Sequence, residues 1–146
     1  MGKLKVIKKE NEIIIPSSLD YLETVDRFVE NKLKKEGWDK DQIADVAISL
    51  SEVVTNAIVH GNKSDPQKKV SVQVSLKPDE IMICVTDQGT GINSSCIPNS
   101  IDKENLLKET GRGIFIVRSL MDNVEIENKE NLGCCIKITK RTEKKK

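Results

Sequence analysis

The sequence predicts an α+β fold, a two-layer α/β sandwich in which a mostly antiparallel mixed sheet is covered on one face by about three helices. Three observations predict it. Apolar residues recur at helical spacing in two stretches before residue 61. Strict alternation of period two then runs from Val70 to Val85. A further helical stretch and two short strand-like runs close the chain. Helices that interrupt a set of hairpin-like strands give a sheet layer and a helix layer rather than a parallel, doubly wound sheet.

Each element follows from a local pattern. Glu12 to Ile15 is a short apolar run stopped by Pro16, a first strand. Asp20 stands three residues before Glu23 and predicts the N-cap of a first helix, with Leu22, Val25, Phe28, Val29 and Leu33 on its apolar stripe and Gly37 at its end. A second helix is expected from Asp39 or Asp41 to about His60, its core stripe formed by Ile43, Val46, Ala47, Leu50, Val53, Val54 and Ala57. Gly61-Asn62 breaks it. Val70, Val72, Val74 and Leu76 alternate with Ser71, Gln73 and Ser75; Lys77-Pro78-Asp79-Glu80 turns the chain; Ile81, Ile83 and Val85 continue the alternation. Ser94 to Thr110 is polar and irregular, and a stretch that long is either disordered or a functional lid. A third helix after Gly113 carries Ile114, Val117, Leu120 and Met121, and closing strands at Val124–Glu127 and Cys134–Thr139 flank a turn at Asn131-Leu132-Gly133.

The chain is 146 residues long with no internal repeat or low-complexity linker, so one domain spanning 1–146 is expected, its core about 12–140. A net charge of +1 gives no global argument for nucleic acid or a membrane surface, and the terminal Lys144–Lys146 run reads as a solvated tail. No apolar run approaching the ~20 residues of a membrane span stands out, and Met1–Lys5 lacks the apolar segment of a secretory signal. Cys84, Cys96, Cys134 and Cys135 make no Cys-x-x-Cys pair, and His60 has no cysteine at ligand spacing, which argues against zinc. Reduced, structural thiols and a cytoplasmic location are the expectation.

Three clusters are able to carry chemistry. Asp45, Ser49, Glu52 and Asn56 advance by 4, 3 and 4 along one face of the second helix, which taken alone reads as a solvated stripe. Asp87-Gln88-Gly89-Thr90-Gly91 follows a strand, and Gly111-Arg112-Gly113 precedes a helical run; singly, each is an ordinary glycine-rich turn. Together they describe a phosphate site. Glycines ahead of a helix leave backbone N–H groups open to phosphate oxygens at the positive end of the helix dipole. Magnesium takes oxygen ligands such as the Asn56 amide alongside substrate phosphates. A carboxylate one turn earlier, Glu52, is placed to take a proton from an attacking hydroxyl or water. A buried Asp87 is suited to accept a hydrogen bond from an exocyclic amine, as on adenine.

The order Glu52-x-x-x-Asn56, Asp87-x-Gly89-x-Gly91, Gly111-x-Gly113 resembles the N box and the two glycine boxes of the ATPase superfamily that includes gyrase, Hsp90, histidine kinases and MutL. The longer string from Ser51 to Asn62, with Gly113-Ile114-Phe115 and Leu120-Met121-Asp122, is similar to the anti-sigma factor/serine-protein kinase branch. The resemblance runs from about Ile13 to Lys140. It implies a Bergerat-type fold with a flexible ATP lid, and ATP and magnesium as cofactors. Asn56 would bind the metal, Glu52 would be the general base and Asp87 would read the adenine amine. Gly89 and Gly91 would shape the nucleotide pocket, and Gly111 and Gly113 the hinge of the phosphate-binding lid. Arg112 reads first as a solvent-facing lid residue and second as a γ-phosphate contact.

Such kinases phosphorylate a serine of an anti-anti-sigma partner of STAS type and hold a sigma factor inactive, commonly as homodimers. The alternative is a non-catalytic, ATP-gated partner-binding module. The chain departs from the superfamily where Gly133 is followed by Cys134 and Cys135 instead of a threonine, whose hydroxyl helps fix the adenine network. The one histidine lies inside the N-box string, which argues against a histidine-kinase fragment. No basic groove follows to suggest a gyrase-like or MutL-like enzyme.

Overall fold

In a computed structural model of the chain, residues 5–89, 109–129 and 133–142 are described, with the backbone alone at 109–112 and 128–129. β1 (Ile7–Lys8) folds back on β2 (Glu12–Pro16), pairing Ile7 with Ile14. Two residues are too few to show a period, and the sequence pattern misses β1 for that reason. The chain then enters a single 3-10 turn at Leu19–Tyr21. Ser18, not Asp20, is its cap: Ser18 Oγ accepts from the Asp20 N–H at 3.2 Å. Helix α1 (Leu22–Lys35) begins only after that turn, and Val25, Val29 and Leu33 are its buried stripe. Gly37, at φ +79°, ends the element as its position suggests.

Helix α2 (Lys40–Asn56) starts where Asp39 Oδ1 accepts from the Gln42 N–H at 2.8 Å. At Ala57–Gly61 it widens into a π turn, closed by the Asn62 N–H donating to the Ala57 carbonyl at 2.9 Å. Such turns inside helices are frequent at functional sites because they re-aim the residues that follow. From Lys40 to Gly61 the element is 22 residues, long and apolar enough to cross a bilayer by length and composition, a feature the reading of the sequence did not anticipate. Its apolarity has a core explanation. Ile43, Val46, Leu50, Val53, Val54 and Ile58 are all buried and belong to the single hydrophobic cluster of the described residues.

β3 (Lys69–Lys77) and β4 (Glu80–Thr86) form the expected hairpin, with Val72 opposite Val85 and Val74 opposite Ile83. Helix α3 (Glu109–Leu120) leads to β5 (Asn123–Lys129) and β6 (Gly133–Arg141). The helix starts one turn before the place the sequence suggested, so Gly111 and Gly113 lie within it rather than ahead of it. Sheet order is β1-β2-β3-β4-β6-β5, and every described neighbour pair is antiparallel. The expected mixed character is therefore absent among the described strands: β1–β2, β3–β4 and β5–β6 follow directly on one another, and the two helical connections, β2 to β3 and β4 to β5, also leave every neighbouring pair antiparallel.

One sheet face carries Val70, Val72, Val74, Ile81, Ile83, Val85, Ile136 and Ile138, all buried with the helices' apolar stripes. Removing this much apolar surface from water is the main drive for the fold. Lys140 ties the layers at the far end of α3: its Nζ donates to the Leu120 carbonyl at 2.7 Å and reaches Asp45 Oδ2 at 3.3 Å. A cation there satisfies a helix C-terminus.

On the sheet face turned from the helices, Cys84 and Cys135 are bonded as a disulfide, with Cα atoms 6.5 Å apart. The expectation of reduced thiols fails for this pair. Cys84 on β4 and Cys135 on β6 are diagonal neighbours across a ladder, a juxtaposition set by register that linear spacing does not display. The expected lid falls largely at residues 90–108; that stretch, with Gly91 and the Asn131-Leu132 turn, lies outside the described residues.

Candidate nucleotide site

The polar stripe of α2 is not a solvated face. Ser49 is fully buried, Asn56 is 7% exposed, and Asp45 and Glu52 are half-buried. The reason is α3, which lies against α2 at Gly113. A Cβ added to Gly113 would stand 2.6 Å from Glu52 Oε2 and 3.8 Å from Asn56 Nδ2. Glycine is what allows the helix to approach the two chemistry-bearing side chains this closely. Ser49 Oγ and Asn56 Nδ2 are buried without a hydrogen-bond partner among the described residues. Orphaned buried polar atoms are costly and call for an explanation in a ligand or in function. Glu52 makes no hydrogen bond or ion pair among the described residues.

One helical turn further on, the backbone closes around Asp87. Asp87 is 4% exposed. Its Oδ1 accepts from the Gly89 N–H at 2.9 Å and from the Cys134 N–H at 3.0 Å, and its own N–H donates to the Cys134 carbonyl at 3.0 Å. Oδ2 has no partner among the described residues. Burial pushes the Asp87 carboxyl above the usual carboxylate range, while the Gly89 and Cys134 N–H groups and the charge of Lys68 pull it back. A desolvated carboxylate with one oxygen braced and the other unpaired is built to accept a hydrogen bond from a ligand.

Three glycines make that arrangement possible, and two of them went unread as site residues. A Cβ on Gly61 would lie 2.1 Å from Asp87 Oδ2, one on Gly89 would lie 2.5 Å from the Gly61 carbonyl, and one on Gly133 would lie 2.1 Å from the Asp87 carbonyl. Their local patterns mark Gly61 as a helix stop and Gly133 as a turn, and the resemblance places both inside its motifs without giving either a role at Asp87. Close backbone approach leaves no mark in sequence beyond glycine itself. Gly133 also sits at φ +95°, so it meets both a steric and a conformational demand. Gly133→Ala is expected to lower unfolding free energy by about 2–4 kcal/mol, by clash and left-handed strain together. A urea midpoint equal to that of the wild type would contradict the cradle.

The cysteine that replaces the expected threonine does not remove the brace on Asp87. The brace is the backbone N–H of Cys134, present whatever the side chain. Glu52, Asn56 and Gly113 are thus brought together at one point, and Asp87, Gly89, Gly61 and Gly133 at a second, joined by the π turn. Gly111 lies in the first turn of α3, and the side chain of Arg112 is outside the described residues. Among the described residues no three His, Cys, Asp or Glu side chains assemble into a metal cage. The Asn56 amide oxygen is a donor of the kind magnesium takes alongside phosphates and water, while its Nδ2, the atom nearer Gly113, can serve only as a hydrogen-bond donor. A groove of about 440 Å³ between α1 and α2 is lined by Leu22, Val25, Ile48, Glu23 and Asp26, and meets the site at Glu52. Burial, then Glu30 and Glu23, push the Asp26 carboxyl up.

Comparison with known proteins agrees with this geometry. The profile of the histidine kinase-like ATPase domain matches residues 15–140. The anti-sigma F factor of Oceanobacillus iheyensis is 33% identical over 109 residues, covering 73% of this chain and 74% of that protein. The serine-protein kinase RsbW of Staphylococcus aureus is 29% identical over 140 residues, covering 91% of this chain and 87% of that protein. Among solved structures, the RsbU and RsbW domains of Rv1364c from Mycobacterium tuberculosis superpose with a TM-score of 0.65 at 21% identity, over 94% of this chain and 32% of that one. The chain belongs to the histidine kinase-like ATPase domain family.

Proposed function

We propose that the protein is an ATP- and magnesium-dependent protein-serine kinase that acts as an anti-sigma factor. Its substrate is a serine of a small anti-anti-sigma partner of STAS type, and its client is a sigma factor. It works in the cytoplasm as a homodimer of one domain, residues 1–146. The observation that carries the reading is the meeting of Glu52, Asn56 and Gly113 at one point, with the Glu52 carboxylate unpaired and the Asn56 amide buried beside it. The relatives named anti-sigma F factor and serine-protein kinase RsbW support it.

The residues divide the work. Asp87 accepts a hydrogen bond from the adenine amine, and Gly89 and Gly91 let the backbone approach the base. Gly111 and Gly113 serve the phosphate end of the site from α3, and Arg112 is the candidate γ-phosphate contact there. The Asn56 amide oxygen would hold magnesium, which would offset phosphate charge. Glu52 takes the proton from the serine hydroxyl as that oxygen attacks the γ-phosphorus, and ADP leaves. Most of the acceleration in phosphoryl transfer is positioning and charge stabilisation, so one base and a rigid frame suffice.

The test is incubation of the protein with γ-labelled ATP, magnesium and a lysate of its source organism, beside Glu52→Ala. A small protein labelled on serine by the wild type alone is the expected result. Confirmed ATP binding with no labelled protein would replace the kinase with an ATP-gated partner-binding module.

A further inference from the structure

The loop between α2 and β3 holds a buried hydrogen-bond node that the nucleotide chemistry does not use directly. Asn62 is 0% exposed. Its Nδ2 donates to Ser17 Oγ at 2.8 Å and to the Lys69 carbonyl at 2.9 Å, and its Oδ1 accepts from the Gln88 N–H at 2.7 Å. Ser17 Oγ donates in turn to the Lys68 carbonyl at 2.7 Å, and Gln88 Oε1 accepts from the Lys69 N–H at 2.6 Å. Directly after Asn62 the chain passes through Lys63 at φ +54° and Ser64 at φ +56°. Two successive non-glycine residues in the left-handed region persist only where their surroundings hold them. Backbone bonds from the Ser64 N–H to the Ile58 carbonyl at 2.7 Å and from the Asp65 N–H to the Asn62 carbonyl at 3.0 Å close this turn, and the side-chain node anchors the residue before it. An asparagine amide suits the place because it offers two donors and an acceptor on a short stem.

Asp87 and Gly89 are braced from two directions. From β6 come the N–H and carbonyl of Cys134. From the helical side comes Asn62, which fastens the N–H of Gln88, the residue between Asp87 and Gly89, to the loop that begins at Gly61, while the Gln88 side chain is bonded to the Lys69 N–H at the start of β3. Gly61 is also the residue against which Asp87 Oδ2 rests. We infer that Asn62 is a positioning residue for base selection: through the Gln88 N–H it sets the height of the Asp87–Gly89 turn and so aims Asp87 Oδ2 at a 6-amino group. Hydrogen bonds weaken steeply once geometry slips by a few tenths of an ångström, so slack in this strap costs base discrimination before it costs phosphate binding. The inference rests on the proposed role of Asp87 as the adenine reader.

The experiment compares ATP with inosine triphosphate, which carries an oxygen where adenine carries the 6-amino group, by titration calorimetry. The variants are Asn62→Ala, Asn62→Asp and Gln88→Ala, with Asp87→Ala and Ser17→Ala as references and thermal midpoints taken throughout. The ATP preference is expected to fall about tenfold in Asn62→Ala and about threefold in Gln88→Ala. Asn62→Asp keeps the acceptor for the Gln88 N–H and is expected to restore the preference while remaining as thermally destabilised as Asn62→Ala. Ser17→Ala is expected to lose thermal stability and keep the preference, since it touches only the far leg of the node. Gln88 is exposed, so its variant folds even where Asn62→Ala does not. A wild-type preference in Gln88→Ala and in every Asn62 variant that folds overturns the inference. So does a loss that tracks thermal midpoint across all variants, Ser17→Ala included. If Asp87→Ala itself leaves the preference unchanged, the adenine reading of Asp87 fails instead.

Discussion

Asp87→Asn will bind ATP about a hundredfold or more weakly than the wild type, yet its folded state will be at least as stable at neutral pH. The two effects come from opposite ends of one side chain. Oδ1 takes two backbone N–H groups, from Gly89 and Cys134, so an asparagine must turn its carbonyl oxygen toward them. Its NH2 then occupies the place of Oδ2 and meets an amine donor with another donor.

Stability follows the carboxyl's titration. Desolvation is the largest influence on Asp87 and outweighs the two N–H groups and Lys68, so the fold prefers the neutral form. A folded-state pKa raised above the unfolded value of 3.8 means that the native state holds its proton to higher pH than the unfolded chain does. Below the unfolded value both states are protonated and nothing is lost; as pH rises through the raised folded value, stability is lost. The asparagine variant mimics the neutral form at every pH. The thermal midpoint of Asp87→Asn minus that of the wild type should therefore grow from pH 4 to pH 8. Calorimetry giving an ATP affinity within about threefold of the wild type would show that Oδ2 does not meet the base.

Much of this site was legible because helical period and glycine spacing are local. The 4, 3, 4 advance of Asp45, Ser49, Glu52 and Asn56 put the proposed base and the proposed metal ligand on one stripe, and the alternation from Val70 to Val85 gave the hairpin that delivers Asp87. What stayed hidden depends on contacts between distant segments. Ser49 and Asn56 read as solvated until α3 covers them, and the start of α3 at Glu109 could not be read from a polar run with no apolar period. Gly61 and Gly133 are both pressed against Asp87, 26 and 46 residues away in the chain, and the motifs they sit in do not say that they meet it. Asn62 is hidden for the same reason, since its partners Ser17 and Gln88 are 45 and 26 residues away. The Cys84–Cys135 bridge, likewise, is a product of strand register across 51 residues.

Glu52→Gln will slow phosphoryl transfer by about 10²–10⁴-fold while ATP affinity stays near that of the wild type. The amide keeps the length and helix preference of the carboxylate, and Asn56 is untouched, so only the proton acceptor is lost. Gly113→Ala supplies the complementary evidence. In a helix interior, glycine to alanine ordinarily gains about 0.5–1 kcal/mol, and Gly113 lies within α3. The new Cβ, however, would stand 2.6 Å from Glu52 Oε2 while Cδ remains 3.6 Å away, so the end of the Glu52 side chain must swing aside. That movement is cheap for the fold, because the tip of a glutamate is flexible, and expensive for catalysis, because the base leaves its place. Gly113→Ala should melt no lower than the wild type and transfer phosphate at least about tenfold more slowly. If both changes act through the position of one carboxylate, they cannot multiply: the Glu52→Gln, Gly113→Ala double variant should be no slower than Glu52→Gln alone. Single-turnover rates that multiply, or a Gly113→Ala rate equal to the wild type, would separate the glycine from the base and leave its presence inside a helix without a catalytic reason.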